Sequence, residues 1–166
     1  MNAGVTVTSK YGGKKIEALL KLTGANAVLV GVLHGTGAHP YAENGQTIAE
    51  IAWWNEFGTG RVPERPFMRW TLRENDYYRQ HMMMALRASL LGKVDPIKGL
   101  KIVGAQAASD VRKMITNGDF VPNAEATIRK KSTSAGIKDK PLIDSAILRQ
   151  SMQYELAGAE HTGGGI

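Results

Sequence analysis

The sequence contains no cysteine, and its apolar stretches are short. The absence of cysteine excludes disulfide bonds and thiolate metal sites. The longest apolar run, residues 25–33, has nine residues and includes Asn26, whereas a membrane-spanning helix needs about 20. The first ten residues also lack the apolar core of a signal peptide. We therefore expect a soluble protein that is made and used without export and has no membrane partner.

The sequence also lacks a recognisable catalytic or cofactor-binding motif. His34 and His39 share a glycine-rich loop, but zinc needs three or four protein ligands, and Glu43 is the nearby carboxylate. The Gly-Thr-Gly of that loop has neither the Gly-Lys-Ser/Thr ending of a phosphate loop nor the third glycine of a dinucleotide fingerprint. Asp144 and Ser145 do not belong to a Gly-x-Ser-x-Gly elbow. These observations predict no enzyme, no metal site and no cofactor.

One enzymatic alternative stays open. A small hydrolase would use Asp144, Ser145 and one of the four histidines, and a serine-reactive probe would then form a covalent adduct. A capping or turn role for Asp144, ahead of Ile147, is the favoured interpretation.

Charge of one sign is concentrated in one segment. The chain has 21 basic and 15 acidic residues, a net charge of +6, and the two signs are interleaved through the middle. Residues 129–140 hold one acid and five bases, which are Arg129, Lys130, Lys131, Lys138 and Lys140. This segment is either a solvated loop or a contact for phosphate or an acidic protein partner. A basic nucleic-acid-binding module is therefore an alternative function, for which affinity would fall steeply with salt.

Apolar periodicity predicts an α+β fold, with a small, mostly antiparallel sheet packed against two or three helices and long loops. Alternating or β-branched residues indicate strands at residues 5–8, 26–33 and 151–156. Residues 34–46 are glycine-rich and interrupt the pattern, which indicates a loop.

Helical spacing predicts four helices, over residues 14–22, 48–57, 66–90 and 96–117. Thr47 and Glu50 have the spacing of a capping box ahead of the second helix. Pro66 suits the first position of the third helix. Asp95 followed by Pro96 combines a capping side chain with a proline at the first helical position of the fourth.

Two parts of the chain resemble the signatures of a family of bacteriophage tail-completion proteins, which join the tail to the head. In that family an "EFGT" helix end precedes an "IPARPFLRP" loop, and the chain has Glu56-Phe57-Gly58-Thr59 and Arg65-Pro66-Phe67-Met68-Arg69 in the same order. A second family signature, "STI-RK" followed by "KPLIDTG-LR-SI-YEV", resembles residues 126–130 and 140–156. The chain departs from it with Ser145-Ala146 for Thr-Gly, and has Trp70 where proline is common. The matches cover about a third of the chain.

The resemblance implies a structural protein of the virion neck. Such proteins are similar to tail-terminator subunits, which form a homo-oligomeric ring, commonly a hexamer, that completes the tail. Their partners are the tail-tube protein and the head-connector or stopper protein, and DNA passes through the lumen without sequence-specific binding. The implied location is the head–tail junction, after assembly in the host cytoplasm. A single domain of this kind is expected over residues 1–160, with a flexible Gly-rich tail over residues 161–166.

A ring of identical subunits needs one surface patch that fits a different patch on the neighbour. Aromatic, methionine and arginine residues are enriched at the centres of interfaces. Our hypothesis assigns subunit or partner contacts to Trp53, Trp54, Phe57, Arg61, Arg65 and Met83. Reversing the charges of Arg61 and Arg65 together is expected to block joining while the monomer stays folded. Phe67 and Trp70 are expected in the core.

Overall fold

The computed structural model describes residues 27–33, 45–73, 76–130, 140–143 and 146–157. These residues form two strands and six helices: β1 (Ala27–Val32), α1 (Ile48–Phe57), α2 (Phe67–Leu72), α3 (Asp76–Leu90), α4 (Pro96–Asn117), α5 (Glu125–Lys130), α6 (Ile147–Gln150) and β2 (Met152–Ala157). The two strands pair in an antiparallel sheet. The predicted α+β class is confirmed.

The predicted strands at residues 26–33 and 151–156 correspond to β1 and β2. The predicted strand at residues 5–8, the helix at 14–22 and most of the loop at 34–46 lie outside the described residues. The residues of the chain fall into two compact units. The first unit contains Tyr77–Val103, and the second unit contains Val30–Asp76 and Gly104–Glu155. The expectation of one domain over residues 1–160 stays a prediction.

The predicted capping box at the start of α1 is confirmed. The Thr47 amide donates to the Glu50 carboxylate at 2.7 Å, and the Glu50 amide donates to Thr47 Oγ1 at 3.1 Å. The backbone and hydroxyl of Thr47 hold the pKa of Glu50 below its usual value. The capping contribution is therefore complete above the ordinary carboxyl pKa and is lost as the pH falls through the lowered one.

The long helix predicted over residues 66–90 is interrupted and forms two helices, α2 and α3. Asp76 gives α3 an acidic first turn, which favours a new helix start. Helix α3 ends in a Schellman motif, because Gly92 has a φ of +70° and the amides of Gly92 and Lys93 donate to Ser89 O and Ala88 O. The Asp95 cap predicted for α4 is also present, with Asp95 Oδ1 accepting from two amides of its first turn.

One apolar core organises the second unit. Its buried members are Ile48, Ala52, Phe67, Val111, Ile115, Phe120, Leu142, Ile143, Leu148 and Met152. These residues come from α1, α2, α4, α6, β2 and the segments beside them. The guanidinium of Arg112 on α4 also donates to the carbonyl of Met152 on β2. The core therefore brings sequence positions about a hundred residues apart into one packed cluster.

The residue before α6 has an unusual backbone conformation. Ala146 has a φ of +61° and a ψ of +4°, in the left-handed region that glycine adopts freely. A non-glycine residue in this region is disfavoured by about 1–2 kcal/mol. Position 146 is also where the tail-completion family that the sequence resembles commonly has glycine, and Ala146 adopts a conformation typical of glycine.

The conformation of Ala146 predicts that Ala146→Gly stabilises the protein. Relief of the left-handed strain outweighs the greater freedom of glycine in the unfolded chain, so the free energy of unfolding is expected to rise by about 0.5–1 kcal/mol. Urea unfolding measures this change. The matched control is Ala105→Gly at an exposed position inside α4, where the same substitution is expected to lower stability by a similar amount. Equal destabilisation at both positions would contradict the prediction.

Candidate subunit interface

The loop between α1 and α2 is fixed by one buried carboxylate. Glu56, in the last turn of α1, is only 4% exposed. Its Oε2 accepts from the Met68 amide at 2.9 Å, and its Oε1 accepts from the Arg69 amide at 2.9 Å and from Arg69 Nε at 3.0 Å. Amides in the first turn of a helix have no partner within the helix. Glu56 therefore caps α2 from outside, and we call this arrangement the carboxylate clamp.

Arg69 closes the other side of the carboxylate clamp. Its Nη2 donates to the Glu56 carbonyl at 2.6 Å and also to the carboxylate of Glu64. The carboxylates of Glu64 and Glu56 raise the pKa of the Arg69 guanidinium above its usual value. The helix end, the loop and the next helix are thus joined through one arginine side chain.

A tight turn at Gly58 and Thr59 begins the loop. Gly58 has a φ of +72°, and a Cβ at this position would lie 3.0 Å from the Glu64 nitrogen and 3.1 Å from the Val62 oxygen. Thr59 Oγ1 accepts from the amides of Arg61 and Val62, while the Thr59 amide donates to Val62 O at 2.8 Å. Glycine is required at residue 58 by both conformation and space.

Arg65 is the second anchor of the loop, and it is buried rather than exposed as a contact residue. Its side chain donates to Val121 O at 3.0 Å, to Asn55 Oδ1 at 3.1 Å, to Asn123 Oδ1 at 3.2 Å and to Pro122 O at 3.4 Å. The Arg65 amide also donates to Asn55 O at 2.7 Å. Burial lowers the pKa of this guanidinium, whose hydrogen-bond partners among the described residues are neutral oxygens.

The burial of Arg65 corrects two expectations from the sequence. Its guanidinium donates to oxygens of its own chain and the residue is 4% exposed, which disfavours the predicted subunit contact of Arg65. Reversing its charge would place a carboxylate among carbonyl and amide oxygens and strongly destabilise the monomer. Arg61, by contrast, is exposed.

An apolar groove lies beside α1 in the second unit. It has a volume of about 440 Å³, and Val30, Val32, Ala49, Ala52 and Met68 are among its lining residues. Trp53 and Phe57 also line it and are 63% and 45% exposed. Their ring centroids are 4.2 Å apart, and the Arg69 guanidinium lies 4.8 Å from the centroid of Phe57. This aromatic groove combines exposed ring surface with a position fixed by the carboxylate clamp.

The remaining aromatic and methionine residues named from the sequence differ in their exposure. Trp54 is half-buried, and Met83 is exposed together with Met82 and Met84 on α3 of the first unit. Phe67 is fully buried, as predicted. The expectation that Trp70 lies in the core is wrong, because the residue is 43% exposed. One face of its ring stacks on Phe120 at a centroid distance of 5.6 Å.

The basic segment predicted as a loop begins as a helix. Arg129 and Lys130 belong to α5, and the Arg129 side chain is exposed. Lys140 is half-buried. Lys131 and Lys138 lie outside the described residues, so the segment's role in polyanion or acidic-partner contact stays a prediction.

The sequence did not reveal the residues that hold the aromatic groove in place. The family-like motif contains Glu56 and Arg69, but the motif alone assigns neither residue a role. One signal was available: Glu56 lies four residues after Ala52 and eight after Ile48, so it shares their buried helix face. A carboxylate on such a face requires a hydrogen-bonding partner.

Comparisons with protein-family models, curated proteins and solved structures find no match for this chain. None of the helices in the described residues is both long and apolar enough to cross a membrane. Within the same described ranges, no three histidine or acidic side chains converge as a metal site. The candidate residues His34, His39, Glu43, Asp144 and Ser145 lie outside them.

The carboxylate clamp predicts that Glu56→Gln lowers the free energy of unfolding by about 2–4 kcal/mol. The amide keeps one acceptor but sets an NH₂ group against the donors of residues 68 and 69. Urea unfolding measures the loss. Glu64→Gln is the matched control because it pairs with the same arginine while its side chain is 53% exposed; we expect it to cost less than about 1 kcal/mol. Equal losses of stability from Glu56→Gln and Glu64→Gln would contradict the prediction that the buried carboxylate contributes more than the exposed one.

The two loop arginines give a second pair of opposite expectations. Arg65→Glu is expected to lower the free energy of unfolding by more than about 3 kcal/mol, since it buries a charge among acceptor oxygens. Arg61→Glu should change it by no more than about 0.5 kcal/mol. Thermal and urea unfolding of the single variants test this. A cooperative unfolding transition for Arg65→Glu at the position of the unmodified protein would contradict the buried arrangement.

Proposed function

We propose that this protein is a structural subunit of a bacteriophage neck. In this proposal, copies of the chain form a ring that completes or terminates the tail and joins it to the head connector. The tail-tube protein and the connector or stopper protein are its partners, and DNA passes through the lumen. This function requires a complementary shape, close packing and self-association of the subunits, and it involves no catalysed reaction.

The observation that carries this proposal is that both segments resembling the family contribute to one core. The first supplies Phe67, and the helix that it ends at Glu56 and Phe57 supplies Ile48 and Ala52. The second supplies Leu142, Ile143, Leu148 and Met152. Helix α1 packs against α6 as well as α2. Two motifs that were recognised separately in the sequence are therefore parts of one structural element. This supports a resemblance of whole domains over a chance match of two short strings.

The roles of the motif residues give further support. Glu56, Gly58, Arg65 and Arg69 each stabilise the α1–α2 connection. The motif is thus a structural device that holds a loop and an aromatic surface rigid. Such a requirement suits an assembly protein, because ordering an interface in advance reduces the entropy lost when subunits associate.

The test is to locate the protein in particles of a bacteriophage whose genome encodes this chain. The protein carries an electron-dense label, and purified particles are imaged beside particles with the unlabelled chain. We expect label at the head–tail junction only, in several copies per particle. Label on the capsid, along the tail, or absent from particles would overturn the proposal. In the last case, binding of the purified protein to DNA at increasing salt tests the nucleic-acid alternative.

A further inference from the structure

Three consecutive methionines lie on α3, and all three are exposed. Met82 is 38% exposed, Met83 is 48% exposed and Met84 is 63% exposed. Successive residues of an α-helix point about 100° apart, so three neighbours span about 200° of its circumference. A single packed face of the helix therefore cannot cover all three side chains. We call these residues the methionine triplet.

Other residues define the packed side of α3. Ala85 lies close to α4, because a Cβ added at Gly99 would be only 2.8 Å from the Cβ of Ala85. Ser89 is buried and follows Ala85 by four positions, so it shares the same side of the helix. Met83 precedes Ala85 by two positions, which places it on the opposite side. The exposure of Met83 therefore follows from the side on which α3 contacts α4.

The other methionines among the described residues are covered. Met152 on β2 is fully buried in the apolar core of the second unit. Met68 and Met114 are half-buried and pack against the same core. A thioether sulfur must meet an oxidant in order to react, so a buried methionine reacts only when the structure around it opens. The fold therefore separates an accessible group of methionines from a protected group.

Hydrogen peroxide oxidises a methionine thioether by transfer of one oxygen atom. A lone pair of the sulfur attacks one peroxide oxygen, the O–O bond breaks, and the other oxygen leaves as water after proton transfer. The sulfur loses two electrons and the peroxide gains them. The product is methionine sulfoxide, which is polar, and sulfoxide reductases return it to the thioether, with one enzyme for each epimer. The chain has no cysteine, so none of its own thiols competes for the oxidant.

We propose that the methionine triplet is an oxidation site, at which peroxide converts an apolar helix surface into a polar one while the fold is kept. Each sulfoxide adds a hydrogen-bond acceptor to a surface that is already in contact with water, so no polar group becomes buried. A sulfoxide at Met152 would have the opposite effect, because it would lie within the apolar core. The inference depends only on the exposure of methionines in the folded chain, and it is independent of the proposed neck function.

Peptide mass spectrometry of the full-length protein, treated with dilute hydrogen peroxide for increasing times, tests the site. We expect sulfoxide at the methionine triplet first, and at Met152 roughly a hundredfold more slowly, because Met152 needs local opening. The same treatment in urea that unfolds the chain is the control for local sequence, and all seven methionines should then react at similar rates. Oxidation of Met152 or Met114 in the folded protein as fast as the triplet would overturn the proposal, as would a triplet that resists peroxide.

Leucine at all three triplet positions keeps the apolar shape without sulfur. This variant is expected to lose the rapid oxidations, whereas the matched control Met114→Leu should keep them. The oxidised native protein should unfold within about 2 °C of the untreated protein and should be retained less on a hydrophobic column. Treatment with both sulfoxide reductases should restore the retention. A clearly larger fall in the unfolding temperature, or retention that does not change, would contradict a surface change that keeps the fold.

Discussion

The second unit depends on a buried carboxylate that satisfies two backbone amides and an arginine. Glu56 accepts hydrogen bonds from residues 68 and 69, so the end of one helix caps the beginning of the next. The intervening loop can then turn sharply without leaving donors unsatisfied. An uncompensated carboxylate in this position would be strongly destabilising. The carboxylate clamp therefore accounts for both the path of the chain and the orientation of α1.

Arg65 joins the same loop to a distant part of the chain. Four oxygen atoms from Asn55 and residues 121–123 surround its guanidinium, and these segments are more than fifty residues apart in sequence. A planar group with five donors can join several acceptors at once, which a lysine ammonium cannot do in the same geometry. The loop is thus fixed from two sides, by an anion at its beginning and by a cation at its end.

Features that depend on neighbouring residues were predicted well from the sequence. Features that depend on contacts between distant residues were predicted poorly. The capping box of α1, the Asp95 cap and the proline at the start of α4, and the two strands of the described region depend on neighbouring residues, and they were predictable for that reason. The burial of Arg65 and the exposure of Trp70 depend on residues about fifty positions away, at 120–123. An arginine next to prolines in a loop gives no local sign of such partners. The aromatic surface was anticipated, whereas the residues that support it were not.

The two faces of α1 divide the tasks of this helix. Ile48, Ala52 and Glu56 point into the fold, while Trp53 and Phe57 are exposed at the groove. Substitutions at the exposed rings would alter the surface of the groove and leave the folding contacts in place. Over many generations the surface of the groove can therefore change through a few substitutions, without passing through intermediates that fail to fold. The same fold can therefore present grooves of different chemical character.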